Sequence, residues 1–232
     1  MDKIVIAIDG LAGTGKSTIS KIIANKLGFA FVKTGEMYRA ITYKILKENI
    51  DLSDLDKIEK LLENIDLEFK YNNDKQTAIL DNEDITEYLN SKEVTNLVSQ
   101  VSAIKIVRDK VLYYELNSAR ENNIVMEGRD IGTLIFPNAD VKIFLVASVE
   151  ERAKRRYKQN QQLGIKMSLE EIKQNIEFRD ENDTKKEHGA MKKAEDAIVV
   201  ENTNRTIESV VNEVLKIIEE KIGDRLWFYG IY

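Results

Sequence analysis

GLAGTGKS, residues Gly10 to Ser17, is the stretch from which the fold of this chain can be read. It fits the phosphate-binding pattern G-x-x-x-x-G-K-[ST] at every fixed position, with an apolar run (Ile4 to Ile8) before it and a helical pattern after it. Strand, glycine loop and helix in that order turn successive backbone N–H groups toward one anion and add the positive end of the helix dipole. The residues expected to grip a triphosphate are Gly10, Leu11, Ala12, Gly13, Thr14, Gly15, Lys16, Ser17 and Thr18. Lys16 is expected to reach the β and γ phosphates, and Ser17 to offer its hydroxyl to Mg²⁺.

Working outward, apolar strands alternate with helical patterns. Ile19, Ile22, Ile23 and Leu27 recur at helical spacing until Gly28, and Phe29 to Val32 reads as a second strand. A helix bearing Met37, Tyr38, Ile41 and Ile45 follows, with Arg39 in its first turn. The pattern changes between about 49 and 90. Ser53 is expected to cap a short helix, Leu67, Phe69 and Tyr71 alternate with polar residues, a turn falls at Asn72-Asn73-Asp74, and Thr77 to Leu80 returns as a strand. That is a small antiparallel insertion.

Helix is expected again from Ser91 to about Glu121, then strand Ile124 to Glu127 running into Gly128-Arg129-Asp130, then strand Val141 to Ala147. A helix from Val149 carries Arg152, Arg155 and Arg156, and Gly164 breaks it. Ser168 and Glu171 form a capping-box pattern opening a helix toward Arg179 and Asp183. Two helices with a short join suit a closing lid. Ala197 to Asn202 is the last strand and Ile207 to Ile218 the last helix. The alternation predicts one three-layer α/β domain with a mainly parallel sheet.

Composition narrows the function classes. A net charge of −5 with 32% charged residues argues against a broad nucleic-acid surface, so any anion is held by local basic clusters. No cysteine is present, which removes thiolate nucleophiles and thiolate metal sites and suits a reducing compartment. No apolar run approaches membrane-spanning length and the first residues lack a secretory pattern, so a cytoplasmic monomer with no nucleic-acid or membrane partner is expected. A GTPase switch is disfavoured because the nearest string to its guanine motif, Asn25-Lys26-Leu27-Gly28, lacks the aspartate. His188, in a stretch rich in Lys and Glu, reads as a solvated surface residue.

Further motifs carry a family likeness. GLAGTGKST, TGEMYRA (Thr34 to Ala40), SQVSAIKIVRDKV (Ser99 to Val111), EGRDIGTLIFPNADVKIFLVAS (Glu127 to Ser148), EERAKRRY (Glu150 to Tyr157), RDENDT (Arg179 to Thr184) and KKAEDAIVVENT (Lys192 to Thr203) together resemble the bacterial cytidylate kinases, a group of nucleoside monophosphate (NMP) kinases. The resemblance implies a P-loop kinase fold over 1–232: a five-stranded parallel sheet, an antiparallel NMP-binding insertion at about 49–90 and a helical lid at about 152–186. This chain differs from the family's usual pattern at Leu11, Lys33, Glu127 and Lys186, and at His188-Gly189-Ala190. Its tail, Arg225 to Tyr232, extends past the usual end and reads as an apolar patch folded back on the protein.

The activity implied by the resemblance is transfer of the γ-phosphoryl group of ATP to CMP or dCMP, with UMP or AMP as the alternative acceptor. Such transfer needs positioning and charge neutralisation rather than a general base. By resemblance Lys16, Arg39, Arg129, Arg155, Arg156 and Arg179 are the catalytic cations, with Arg39, Arg129 and Arg179 around the acceptor phosphate and Arg155 and Arg156, with Arg152, on the triphosphate. Thr34 belongs to the acceptor half. Asp130 accepts from cytosine N4, Arg108 and Ser99 contact the rest of the base edge, and Asp183 takes the sugar hydroxyls. Asp9 or Glu127 serves either a metal-bound water or a structural hydrogen bond at a strand end.

Overall fold

Short apolar runs between helical stretches become strands of one sheet whose central members are covered on both faces. The structure, a computed structural model, describes residues 3–72, 75–162 and 164–228. It comprises two compact units, residues 1–32 with 116–232, and residues 33–115.

In chain order the first unit begins with β1 (Val5–Gly10), α1 (Lys16–Leu27) and β2 (Ala30–Lys33). The second holds α2 (Thr34–Lys47), α3 (Leu55–Asn64), β3 (Leu67–Asn72), β4 (Lys75–Leu80), β5 (Glu83–Asp84), α4 (Lys92–Val101) and most of α5 (Lys105–Glu121). The first unit resumes with β6 (Ile124–Gly128), β7 (Val141–Val146), α6 (Val149–Gln162), α7 (Leu169–Lys185), β8 (Ile198–Glu201) and α8 (Ile207–Phe228).

The five-stranded sheet has the order β2-β6-β1-β7-β8, and β1 runs parallel to both of its neighbours. Every residue of β1 and of β6 is buried, as strands covered on both faces require. Ile19, Ile23 and Leu27 of α1 and Val210, Val211, Val214 and Ile218 of α8 pack with Ile6, Ile8, Ile143 and Leu145 in one core. The separate β3-β4-β5 sheet is antiparallel. Among the described residues no helix is long and apolar enough to cross a membrane.

Several local expectations are corrected. The α3 cap is Asp54, whose carboxylate accepts from Lys57 N–H, and not Ser53, because both the N–H and the hydroxyl of Ser53 donate to Asp51. The helical stretch 91–121 is two helices. Ser102 donates its hydroxyl to the Ser99 carbonyl at 3.0 Å, a local bond that competes with helix continuation. The returning strand starts at Lys75, and β5 is too short to announce itself by alternation. Asn73 and Asp74 of the expected turn, and the tail from 229 onward, lie outside the described residues.

Candidate active site

The parallel register determines which loops meet. Asp9 stands opposite Gly128 of β6, and Gly10 opposite Leu145 of β7, so the glycine loop, the Gly128-Arg129-Asp130 turn and the start of α6 emerge from one edge of the sheet. Gly10 is needed there. Its φ is +147°, and a Cβ on it would lie 2.2 Å from the Leu145 carbonyl oxygen.

Side chains from three parts of the first unit hold the loop's carbonyls. Leu11 C=O accepts from Lys16 Nζ (2.7 Å) and from the Thr14 hydroxyl (3.0 Å); Ala12 C=O accepts from Arg152 (3.1 Å); and Thr14 C=O accepts from Asn202 Nδ2 (2.6 Å). A trans peptide directs its N–H opposite to its C=O. Fixing these three carbonyls therefore orients the N–H groups of Ala12, Gly13 and Gly15 the other way, the arrangement that cradles phosphate oxygens.

Lys16 opens α1 and is buried, 4% exposed. Burial, reinforced by Arg129 and Arg179 and opposed by Glu127 and Asp9, pulls its ammonium down to about 7. Next to it, the Ser17 hydroxyl donates to Glu127 Oε1 at 2.7 Å. With its proton directed to a buried carboxylate, the Ser17 oxygen keeps lone pairs for a cation. Asp9 takes the structural role: Oδ1 accepts Ile131 N–H at 2.9 Å and Oδ2 accepts Gly132 N–H at 2.8 Å. Burial pushes its carboxyl up to about 6, with Asp130 adding to the rise and the two amides opposing it.

The arginines divide by surroundings. Arg129 Nε meets Asp183 Oδ2 at 3.0 Å, and Lys186 meets Asp183 Oδ1 at 3.0 Å. Burial pushes the Asp183 carboxyl up, but Arg129 and Lys186 together hold it below its ordinary value. Arg155 donates to the Asn202 and Thr14 carbonyls, which places it against the glycine loop. Arg156 is exposed beside Gln159, and Arg179 is exposed on α7 yet close enough to influence Lys16. Arg152 differs from the sequence expectation. It is buried, joined to Asp180 at 2.7 Å and to the Ala12 and Ala147 carbonyls, so it holds the loop from behind. Asp130 is buried directly before the Ile131–Ile135 turn, and Thr18 is exposed in the first turn of α1.

In the second unit, Thr34 is buried as the first residue of α2. Arg39 is half-buried and ties α2 to the next segments by bonds to the Leu89 carbonyl (2.8 Å) and the Thr95 hydroxyl (3.0 Å). The Arg108 guanidinium lies 5.8 Å from the centre of the Tyr38 ring and donates to the Ser102 carbonyl. Ser99 is half-buried, one turn before the break that separates α4 from α5.

Asn202, Asp180 and Lys142 escaped the sequence reading. Asn202 carried the clearest available signal, a polar residue closing an apolar strand at the loop-bearing edge. It is 3% exposed and links Thr14 to Arg155.

A glycine loop with a buried lysine after the first strand of a parallel sheet, flanked by arginines, defines a P-loop kinase. The chain belongs to the cytidylate kinase family, whose family model matches residues 6–220. A cytidylate kinase of Listeria welshimeri is 47% identical over 96% of this chain and 99% of the relative. One of Pediococcus pentosaceus is 44% identical over 94% and 96%. The fold is shared with a solved structure of an uncharacterized protein from Eubacterium ventriosum, at a TM-score of 0.53 and 12% identity over 94% of this chain and 99% of that one.

Proposed function

We propose that this protein transfers the γ-phosphoryl group of ATP to CMP and dCMP, giving ADP and CDP or dCDP. The observation that carries the reading is membership of the cytidylate kinase family along nearly the whole chain. The buried Lys16 and the restrained phosphate loop supply the chemistry.

The attacking oxygen belongs to a phosphate that is already ionised, so no side chain has to remove a proton. The chain's contribution is charge and placement. Lys16 and the loop amides hold the β and γ phosphates, and Arg155 and Arg156 reach the same phosphates. Arg39, Arg129 and Arg179 neutralise the acceptor phosphate with planar, permanently charged groups. Thr34 belongs with the acceptor contacts. Asp183, whose oxygens are engaged by Arg129 and Lys186, retains lone pairs for the sugar hydroxyls. Residues 49–90 act as the NMP-binding insertion and 152–186 as the lid.

The Ser17 hydroxyl, with Glu127 behind it, fits Mg²⁺, which is commonly held by few protein groups together with phosphates and water. When bound, the ion would help to neutralise the charge of the triphosphate.

Asp130, with Arg108 and Ser99, reads the base. Cytosine presents a donor at N4 where uracil presents an acceptor. Uracil against Asp130 leaves two acceptors facing each other, at a cost of about 1–3 kcal/mol. A coupled assay across CMP, dCMP, UMP and AMP is expected to rank CMP and dCMP first. Asp130→Ala is expected to reduce the preference for CMP over UMP by about ten- to a hundredfold with the fold intact. A wild-type preference for UMP or AMP refutes the base reading, and so does an unchanged ratio in the variant.

ATP binding is also expected to take up a proton. With its ammonium near 7, Lys16 is mostly neutral in the empty loop at pH 8, and the triphosphate restores its charge. Calorimetry in buffers of different ionisation enthalpy should give an uptake approaching one proton at about pH 8 and little at about pH 6. Heats that do not depend on the buffer at the higher pH contradict this.

A further inference from the structure

We infer that Asp9 and Lys142 are positioning residues for base recognition, clamping the start and the exit of the turn that begins at Asp130. This inference rests on the proposed role of Asp130 as the reader of the base.

The turn needs a clamp. Asp130 has φ −140° and ψ 21°, outside the helical region, and its carbonyl accepts both Leu134 N–H (2.9 Å) and Ile135 N–H (3.3 Å). The Phe136 N–H reaches the Ile131 carbonyl at 2.7 Å, so Ile131–Ile135 is a single π-helical turn, a geometry uncommon outside functional sites. Its first two N–H groups precede any partner within the turn. Asp9 supplies both partners, one carboxylate oxygen to Ile131 and the other to Gly132.

Lys142 projects from the same face of the sheet as Asp9 and holds the other end of the turn. This β7 lysine is 8% exposed, and its stem passes beneath Gly132 so closely that a Cβ there would lie 3.2 Å from Lys142 Cδ and 3.4 Å from Asp9 Oδ2. Its ammonium donates to the Pro137 carbonyl at 2.5 Å, just past the turn, and pairs with Asp196 at 2.8 Å. The carboxylate therefore holds the start of the turn and the ammonium its exit. Neither group has a part in the proposed phosphoryl transfer.

The charged groups acting on Asp9 are Asp130 at the turn, which raises its carboxyl, and Lys16 at the start of α1, which lowers it. Protonation of Asp9 near pH 6 weakens its hold on the two amides.

Asp9→Asn tests the clamp, because an asparagine keeps one acceptor and turns a donor toward the second N–H. The ratio of kcat/KM for CMP to that for UMP is expected to fall about tenfold, with the KM for ATP unchanged, and amide exchange at Ile131 and Gly132 to rise about tenfold. Lys142→Met should lower the same ratio to a lesser extent. In the wild-type enzyme the ratio should fall with a midpoint near pH 6, whereas it stays flat in Asp9→Asn. Using the ratio cancels the titration of the phosphate common to both acceptors.

Unchanged exchange at Ile131 and Gly132 overturns the clamp. Faster exchange with an unchanged ratio overturns its link to base recognition. If Asp9→Asn does not fold, the wild-type profile decides: a ratio flat between about pH 5.5 and 8 overturns the proposal. Asp130→Ala run in parallel separates the two readings. An unchanged ratio there defeats the role of Asp130 itself, whatever the exchange rates show.

Discussion

Lys16→Met is expected to lower kcat/KM for ATP by about a thousandfold or more while the protein stays folded. The ammonium is the buried positive charge of the phosphate loop, and a methionine of similar length fills its channel without charge. Removing one preorganised charge from a site sheltered from water costs more than removing it from solution. Stability should move differently from activity. The folded value is about 7 and the ordinary one 10.5, so between those values the unfolded chain binds the extra proton and stability of the nucleotide-free protein rises with pH. Below about 7 that gain is absent, and above the ordinary lysine value it is complete. Lys16→Met should lack this dependence and be no less stable than wild type at neutral pH. Steady-state kinetics with urea unfolding at pH 7 and pH 9 checks both halves. An activity loss under about tenfold, or the same pH dependence in both proteins, contradicts the assignment.

What sequence could and could not reveal here follows from range. The loop and the strands before and after it are local patterns of eight residues or fewer, and they are found where the patterns put them. The capping box at Ser168 and Glu171 is equally local and is present. Caps chosen between neighbours are harder. Ser53 and Asp54 both suit the role, and Asp51, two residues earlier, decides by engaging the serine. The arginines of α6 show a deeper limit. Arg152 and Arg156 are four residues apart on one face of a helix, yet one is buried and the other exposed, because they differ in position along the axis and not in direction. Depth along an axis depends on what else packs at each end. Here the partners of Arg152 are Ala12 and Asp180, one far earlier in the chain and one on the next helix. The Asp9 clamp was hidden for the same reason. Its partners lie more than a hundred residues away, and spacing within a motif carries no information about them.

Arg152→Met is expected to destabilise the protein by about 3–5 kcal/mol, the range for breaking one side of a buried ion pair. The loss leaves Asp180 charged and without compensation. Its Oδ1 already lacks a hydrogen-bond partner among the described residues, and Arg152 holds its other oxygen. Replacing both partners, as Arg152→Met with Asp180→Leu, should recover part of the stability because no charge is then left buried. It should not recover the KM for ATP, since the Ala12 carbonyl still has no guanidinium to hold it and the loop amides lose their fixed direction. Arg155→Ala is the contrast: this arginine is 29% exposed, pairs with Glu151 in the same helix and shares the Thr14 carbonyl with Asn202. Its removal should cost about 1 kcal/mol or less in stability while lowering kcat/KM for ATP. Urea unfolding with ATP kinetics on the three variants separates a residue that builds the loop from one that binds what the loop holds. If the double variant regains both stability and ATP affinity, Arg152 matters only for its charge balance and the loop-holding role fails.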